Sequence, residues 1–173
     1  MTDERQDYYV VKIEQALSKK DIEKAMDYLK VVNTIGNSYN NPLIKYEQAK
    51  VLYFQKNFDD AEKVTIQLLK DHQTNPLFHE LYGLILLAKG NFEEAKREFE
   101  IFDDIFDNSR SKFLLGLVNL LLNDEREALA NFKLSYEYDK FMFSKLVLNL
   151  QVELFSDKEI LPKLSIILNK LME

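Results

Sequence analysis

The apolar positions of this chain recur with the period of an α-helix. In the last stretch, Ile160, Leu161, Leu164, Ile167, Leu168, Leu171 and Met172 fall within an arc of about 140° on a helical wheel. Lys158, Glu159, Lys163, Asn169 and Lys170 occupy the rest, with only Ile166 out of place. This reads as a cap that buries one stripe and solubilises the other. Near the start, Tyr9, Val10, Ile13, Ala16 and Leu17 make one apolar face, while Tyr8 and Val11 project between Asp7, Gln15 and Ser18. From Phe141 to Phe155 the pattern is apolar all round, which predicts a helix that must be buried somewhere.

These blocks repeat. Pro42-Leu-Ile-Lys-Tyr-Glu-Gln-Ala aligns with Pro76-Leu-Phe-His-Glu-Leu-Tyr-Gly, and Pro42 to Pro76, Phe58 to Phe92 and Ala61 to Ala95 share one offset of 34 residues. Ala128 lies 33 after Ala95, Asp21-Ile-Glu-Lys-Ala25 has the same form upstream, and Asp157-Lys-Glu-Ile-Leu161 falls 33 after Ala128. Each unit reads as two helices, with spans 4–18 and 21–34, 42–55 and 58–71, 76–89 and 92–106, 110–122 and 125–138, 141–155 and 157–172. The units themselves run over 4–37, 42–75, 76–109, 110–140 and 141–172 of a single domain. Pro42 and Pro76 suit a first helical turn, and Asn41 and Asn75 precede them as N-caps. Asp59-Asp60 and Glu93-Glu94 fall where the helix dipole favours carboxylates, and Gly90 sits at a helix-ending turn. Ala49 with Ala61, Gly83 with Ala95, and Gly116 with Ala128 are each twelve apart, which predicts small residues at close helix crossings.

Composition agrees. Of 173 residues, 46% are apolar and 30% charged, enough to bury a core, and only 4 Gly and 3 Pro are present, too few for the turns of an all-β chain. The net charge of −6, with no basic block, argues against nucleic acid and anionic membranes as partners. The longest apolar-rich run, Phe113 to Leu122, is about half a membrane crossing. The start is too charged for a signal peptide, and the absence of cysteine suits a reducing compartment, so a cytoplasmic protein is expected.

The 34-residue period, small residues at repeat position 8, Gly near 15, aromatic near 17, Ala at 20 and aromatic near 24 together resemble the tetratricopeptide repeat. The unit from Pro76 matches best, with Gly83, Gly90, Phe92, Ala95 and Phe99. The unit from Pro42 keeps Ala49, Phe58 and Ala61 but has Lys56 at the glycine and Thr65 at the second aromatic. The next keeps Gly116, Ala128 and Phe132, with Asn123 at the turn, and no unit has the family's Trp at position 4. The resemblance implies an all-α, right-handed superhelical solenoid of about five antiparallel helix pairs, with a concave groove lined by the first helices. It further implies that Leu43, Tyr46, Lys50, Tyr53 and Phe54 line that groove in one unit, Leu77, Glu80, Leu84, Leu87 and Ala88 in the next, and Arg110, Phe113, Leu117, Leu120 and Leu121 in the third. Family members that clamp a peptide carboxylate use Lys, Asn and Arg at such positions. Lys50 and Arg110 stand alone here among leucines and aromatics, so that clamp is not supported.

Catalytic chemistry has little to stand on. His72 and His79 lie apart from any ligand set, and Asp103, Asp104 and Asp107 lack the alternating ligands of a calcium loop and read as a solvated surface. No phosphate loop or nucleophile motif occurs. The expectation is a non-enzymatic scaffold without cofactor or metal, holding a peptide or helix of another protein in the groove, in a chaperone-like manner. The alternative is a structural subunit that uses its ends or outer edge, the groove being filled by its own C-terminal helices. Any self-association is expected to be a weak homodimer through Tyr8 and Val11 of the N-terminal helix.

Overall fold

A computed structural model of the chain describes residues 4–35, 40–153 and 160–171. Among them are ten helices and no strand: α1 Glu4–Ser18, α2 Ile22–Asn33, α3 Pro42–Phe54, α4 Phe58–Asp71, α5 Pro76–Ala88, α6 Phe92–Phe106, α7 Ser109–Leu121, α8 Glu125–Tyr138, α9 Lys140–Glu153 and α10 Ile160–Leu171. Where an expected boundary lies among the described residues, the observed one falls within one residue of it. The expected end of α9 at 155, the expected start of α10 at 157 and Met172 lie outside the described residues. The fold class is all-α, as the periodicity predicts.

The starts follow from local chemistry. Asn41 and Asn75 each cap a helix that has Pro in its first turn, their side chains accepting from Leu43 N at 2.9 Å and Leu77 N at 3.0 Å. Asn108 and Ser111 form a capping box at α7, while Asp21 and Asp124 accept from Lys24 N and Glu127 N. The turns between paired helices repeat one left-handed residue, at Lys20, Lys56, Gly90 and Asn123, with φ of 59°, 61°, 82° and 63°. The backbone needs this conformation whether or not glycine supplies it.

Met1–Lys89 and Gly90–Glu173 form two compact units. In the first, Ile13, Ala16 and Leu17 of α1 pack with Ala25 and Val32 of α2 and Ile44 and Val51 of α3. A second cluster joins Ala49, Ala61, Leu81 and Ile85, so the small pair expected at the α3–α4 crossing sits in the core. Thr65, where the repeat favours an aromatic, is fully buried and donates its hydroxyl to Ala61 O at 2.8 Å. Buried Asn41 donates to Gln6 Oε1 at 2.9 Å, tying the start of α3 to α1.

The core of the second unit is aromatic. Phe113 of α7, Phe132 of α8 and Phe143 of α9 meet edge to face, with ring centroids 5.3 to 6.3 Å apart. Gly116 of α7 lies under Phe132, where an added Cβ would come within 2.7 Å of the ring. Helix α9 packs on α7 and α8, and α10 on α8 and α7. The all-round burial expected of α9 does not hold: Phe143 and Leu146 are buried, but Phe141 is 80% and Leu148 62% exposed. On α10, Leu164 is buried and Ile166, the misplaced residue of the wheel, is exposed. No helix among the described residues is long and apolar enough to cross a membrane.

Candidate protein-binding face

In the first unit, α1 packs on α3 and α3 on α5, so the first helices of three successive pairs are neighbours. Each Asn-Pro cap places a leucine at the second helical residue, and these two, Leu43 and Leu77, are the exposed members of the expected groove set in this unit, at 42% and 39%. Tyr46, Lys50, Tyr53, Phe54 and Leu84 are half-buried, and Glu80 and Leu87 are buried. Tyr46 leans on Phe78 with ring centroids 5.5 Å apart, and Tyr53 packs between Phe54 and Phe58. The aromatic rings are therefore braced by neighbouring rings and stay half-buried.

A charged cluster lies on the same helices. Lys50 Nζ donates to Glu47 Oε1 at 2.9 Å, stands 3.9 Å from Glu14 of α1, and lies 5.1 Å from the centre of the Tyr46 ring. Glu47 is almost wholly buried, and its second oxygen, Oε2, has no hydrogen-bond partner. Burial pushes the Glu47 carboxyl up to about 7; the Lys50 ammonium opposes that shift and Glu14 adds to it. Neither Glu14 nor Glu47 belongs to the groove set read from the sequence. The i, i+3 spacing of Glu47 and Lys50 is the one local signal that they pair.

The remaining groove residues lie in the second unit and are placed differently. Arg110 is exposed, but Phe113, Leu117 and Leu120 are only 1–2% exposed. Phe113 meets Phe143 of α9 at 5.7 Å, so the chain's own α9 lies over this part of α7.

Two other features are structural. Asp104 and Asp107 are exposed, as expected of a solvated surface, but Asp103 is half-buried, and Asp103 and Asp107 are tied to α7. Lys112 bonds both, at 2.6 and 2.9 Å, while Ser111 Oγ donates to Asp103 and Tyr138 donates its hydroxyl to Asp107. The Lys112 ammonium, with help from Tyr138, holds the Asp107 carboxyl below the usual range. His79 is buried with Nε2 2.7 Å from Gln73 O, and His72 meets the edge of Phe78. Among the described residues no cluster of His, Asp or Glu is arranged to hold a metal ion. At the N-terminal helix, Tyr8 and Val11 are 55% and 48% exposed.

A family model described as a tetratricopeptide repeat-like domain matches residues 9–116. No curated protein matches the chain by sequence. Among solved structures it is similar to TTC0263, a thermophilic TPR protein of Thermus thermophilus, with a TM-score of 0.72 and 14% identity over 95% of this chain and 90% of that one. It is similar to PilF of Pseudomonas aeruginosa, at 0.69 and 22% over 80% of this chain and 63% of that one. It is also similar to MamA, from residue 41 onward, of Desulfovibrio magneticus RS-1, at 0.65 and 16% over 98% and 96%. Identities this low speak for the fold alone. With helix pairs at a 34-residue period and a family model spanning more than half of its length, the chain belongs to the tetratricopeptide repeat-like domain family.

Proposed function

We propose that the chain is a non-enzymatic protein–protein interaction module, and that the first-helix face of α1, α3 and α5 holds a peptide or helical segment of its partner. The observation that carries this reading is the pair of exposed leucines, Leu43 and Leu77, repeated at the same place on adjacent first helices beside the braced rings of Tyr46 and Tyr53. Apolar side chains grouped this way mark contact surfaces, and tyrosines anchored at one edge contribute binding energy without much loss of side-chain freedom. A chaperone-like use, shielding an apolar segment of the partner, is the same chemistry. The cysteine-free composition suits a cytoplasmic setting. The test replaces Leu43 and Leu77 with Glu and compares, against wild type, the proteins that co-purify from the native host. Loss of a specific partner from a variant with unchanged helicity supports the face, and full retention contradicts it.

A second reading is favoured by the second unit. There Phe113, Leu117 and Leu120 are covered, while Phe141 and Leu148 of α9 stand exposed. This supports a structural subunit that meets its neighbours through an end, with Phe141→Glu and Leu148→Glu as the variants that would dissociate it. Self-association through Tyr8 and Val11 is a third contact consistent with their exposure. Light scattering of a Tyr8→Glu, Val11→Glu variant tests it, and a wild type that stays monomeric at high concentration ends it.

A further inference from the structure

We infer that the exposed apolar residues of α9 meet the α1 face of a second copy of this chain, head to tail, with Lys145 of one copy against Asp7 of the next. The inference rests on the second reading above, contact through α9, and names what α9 meets. Phe141 and Leu148 are 80% and 62% exposed. Lys145, also exposed, follows the first by four residues and precedes the second by three, so the three share one face of the helix. Among the described residues Lys145 has no hydrogen-bond or ion-pair partner, whereas Lys140 is engaged 5.1 Å from the centre of the Tyr136 ring. A surface that buries Phe141 and Leu148 also takes the Lys145 ammonium out of water, which is costly unless a carboxylate meets it. No Asp or Glu occurs from 140 to 152, so this face placed against its own copy would supply no counter-charge. The surface it fits is apolar with a carboxylate set among the apolar groups.

Helix α1 carries that pattern. It packs on α2 and α3 through Ile13, Ala16 and Leu17, and Tyr8 and Val11 stand exposed on its other side with Asp7 beside them. Asp7 is exposed and has no partner among the described residues. Arg5 and Lys12, the two cations of α1, lie about 140° or more from Asp7 around the helix axis. Lys12 is held 5.3 Å from the centre of the Tyr8 ring, which the Tyr9 ring braces from another side. The Asp7 carboxylate is therefore left for an incoming ammonium next to a fixed aromatic ring. Because two different faces meet, the contact is heterologous, and each copy offers one face to its predecessor and the other to its successor.

Sedimentation velocity of the full chain over a concentration series at physiological salt reads the association. Wild type is expected to pass from monomer through dimer to larger species as concentration rises. Tyr8→Glu with Val11→Glu disables one face, and Phe141→Glu with Leu148→Glu the other. Each variant alone is expected to stay monomeric. An equimolar mixture of the two should form a dimer and nothing larger, since each chain keeps one working face. Asp7→Lys and Lys145→Glu should each weaken association by roughly fivefold or more, and both together in one chain should restore it. Circular dichroism checks that every variant keeps its helicity. A wild type that stays monomeric overturns the inference. So does association of either double-glutamate variant by itself, which would assign the contact to one face meeting its own copy. Failure of the charge reversal to restore association overturns the pairing of Asp7 with Lys145. With a monomeric wild type, loss of a co-purifying host protein in the Phe141→Glu, Leu148→Glu variant would leave contact through α9 standing with a different partner. Loss of none would bring that reading down as well.

Discussion

The ring of Phe132 occupies the space that a side chain at Gly116 would need: a Cβ there would sit 2.7 Å from Cδ1 and 2.8 Å from Cε1. Glycine in the middle of a helix costs roughly 0.5–1 kcal/mol relative to alanine, and α7 accepts that cost so that α8 can approach with a phenylalanine. Phe132 is fully buried and meets Phe113 and Phe143, so it has little room to retreat. Gly116→Ala should therefore destabilise the protein by about 1–2 kcal/mol, the overpacking exceeding the gain in helix propensity. Urea denaturation measures it. An unchanged or higher midpoint would mean that the aromatic cluster can repack.

The left-handed turn residue offers the opposite change. Lys56 holds φ of 61° where the next repeat has Gly90 at 82°. A non-glycine residue is strained there by roughly 1–2 kcal/mol, which the extra freedom of glycine in the unfolded chain offsets in part. Lys56→Gly should stabilise by about 0.5–1 kcal/mol, read as a rise in melting temperature. Gly90→Ala should do the reverse, and the two shifts having the same sign would contradict this account.

The repeat was readable because its period registers Pro42 with Pro76, Phe58 with Phe92 and Ala61 with Ala95, and each of those residues has a local job at a cap, a turn or a crossing. What covers a helix is not local. Phe113, Leu117 and Leu120 have the same apolar character as the exposed Leu43 and Leu77, and the packing of α8 and α9 on α7 separates the two groups. Helix α9 itself lacks a polar face, so its pattern could not indicate that Phe141 and Leu148 stay in solvent while Phe143 and Leu146 are buried. The Asp103–Lys112–Asp107 junction was hidden for a similar reason. It joins the end of one helix to the start of the next, which helical periodicity does not address.

Glu47 makes stability depend on pH. Its carboxyl titrates near 7 in the folded protein, because burial disfavours the charged form, against an ordinary value of 4.5 in the unfolded chain. Between those values the folded state binds more protons than the unfolded one, so stability falls as pH rises from about 4.5 to 7. The contribution of this residue over the window is on the order of 3 kcal/mol, at about 1.36 kcal/mol per pKa unit. Comparing urea midpoints of wild type and Glu47→Gln at pH 5 and pH 8 isolates it. The variant should lose much of the decline between the two pH values, and an equal decline in both proteins would show that Glu47 does not carry it.

The central claim is that partners meet this protein on the first-helix face of Met1–Lys89. Photo-crosslinking in the native host tests it most directly, with a benzophenone side chain placed at position 43 or 77 and, for comparison, at exposed positions 134 and 141. The account predicts a discrete adduct from 43 and 77, lost when Tyr46 and Tyr53 are changed to Ser in the same chain. Adducts from 134 or 141 with none from 43 or 77 would contradict it.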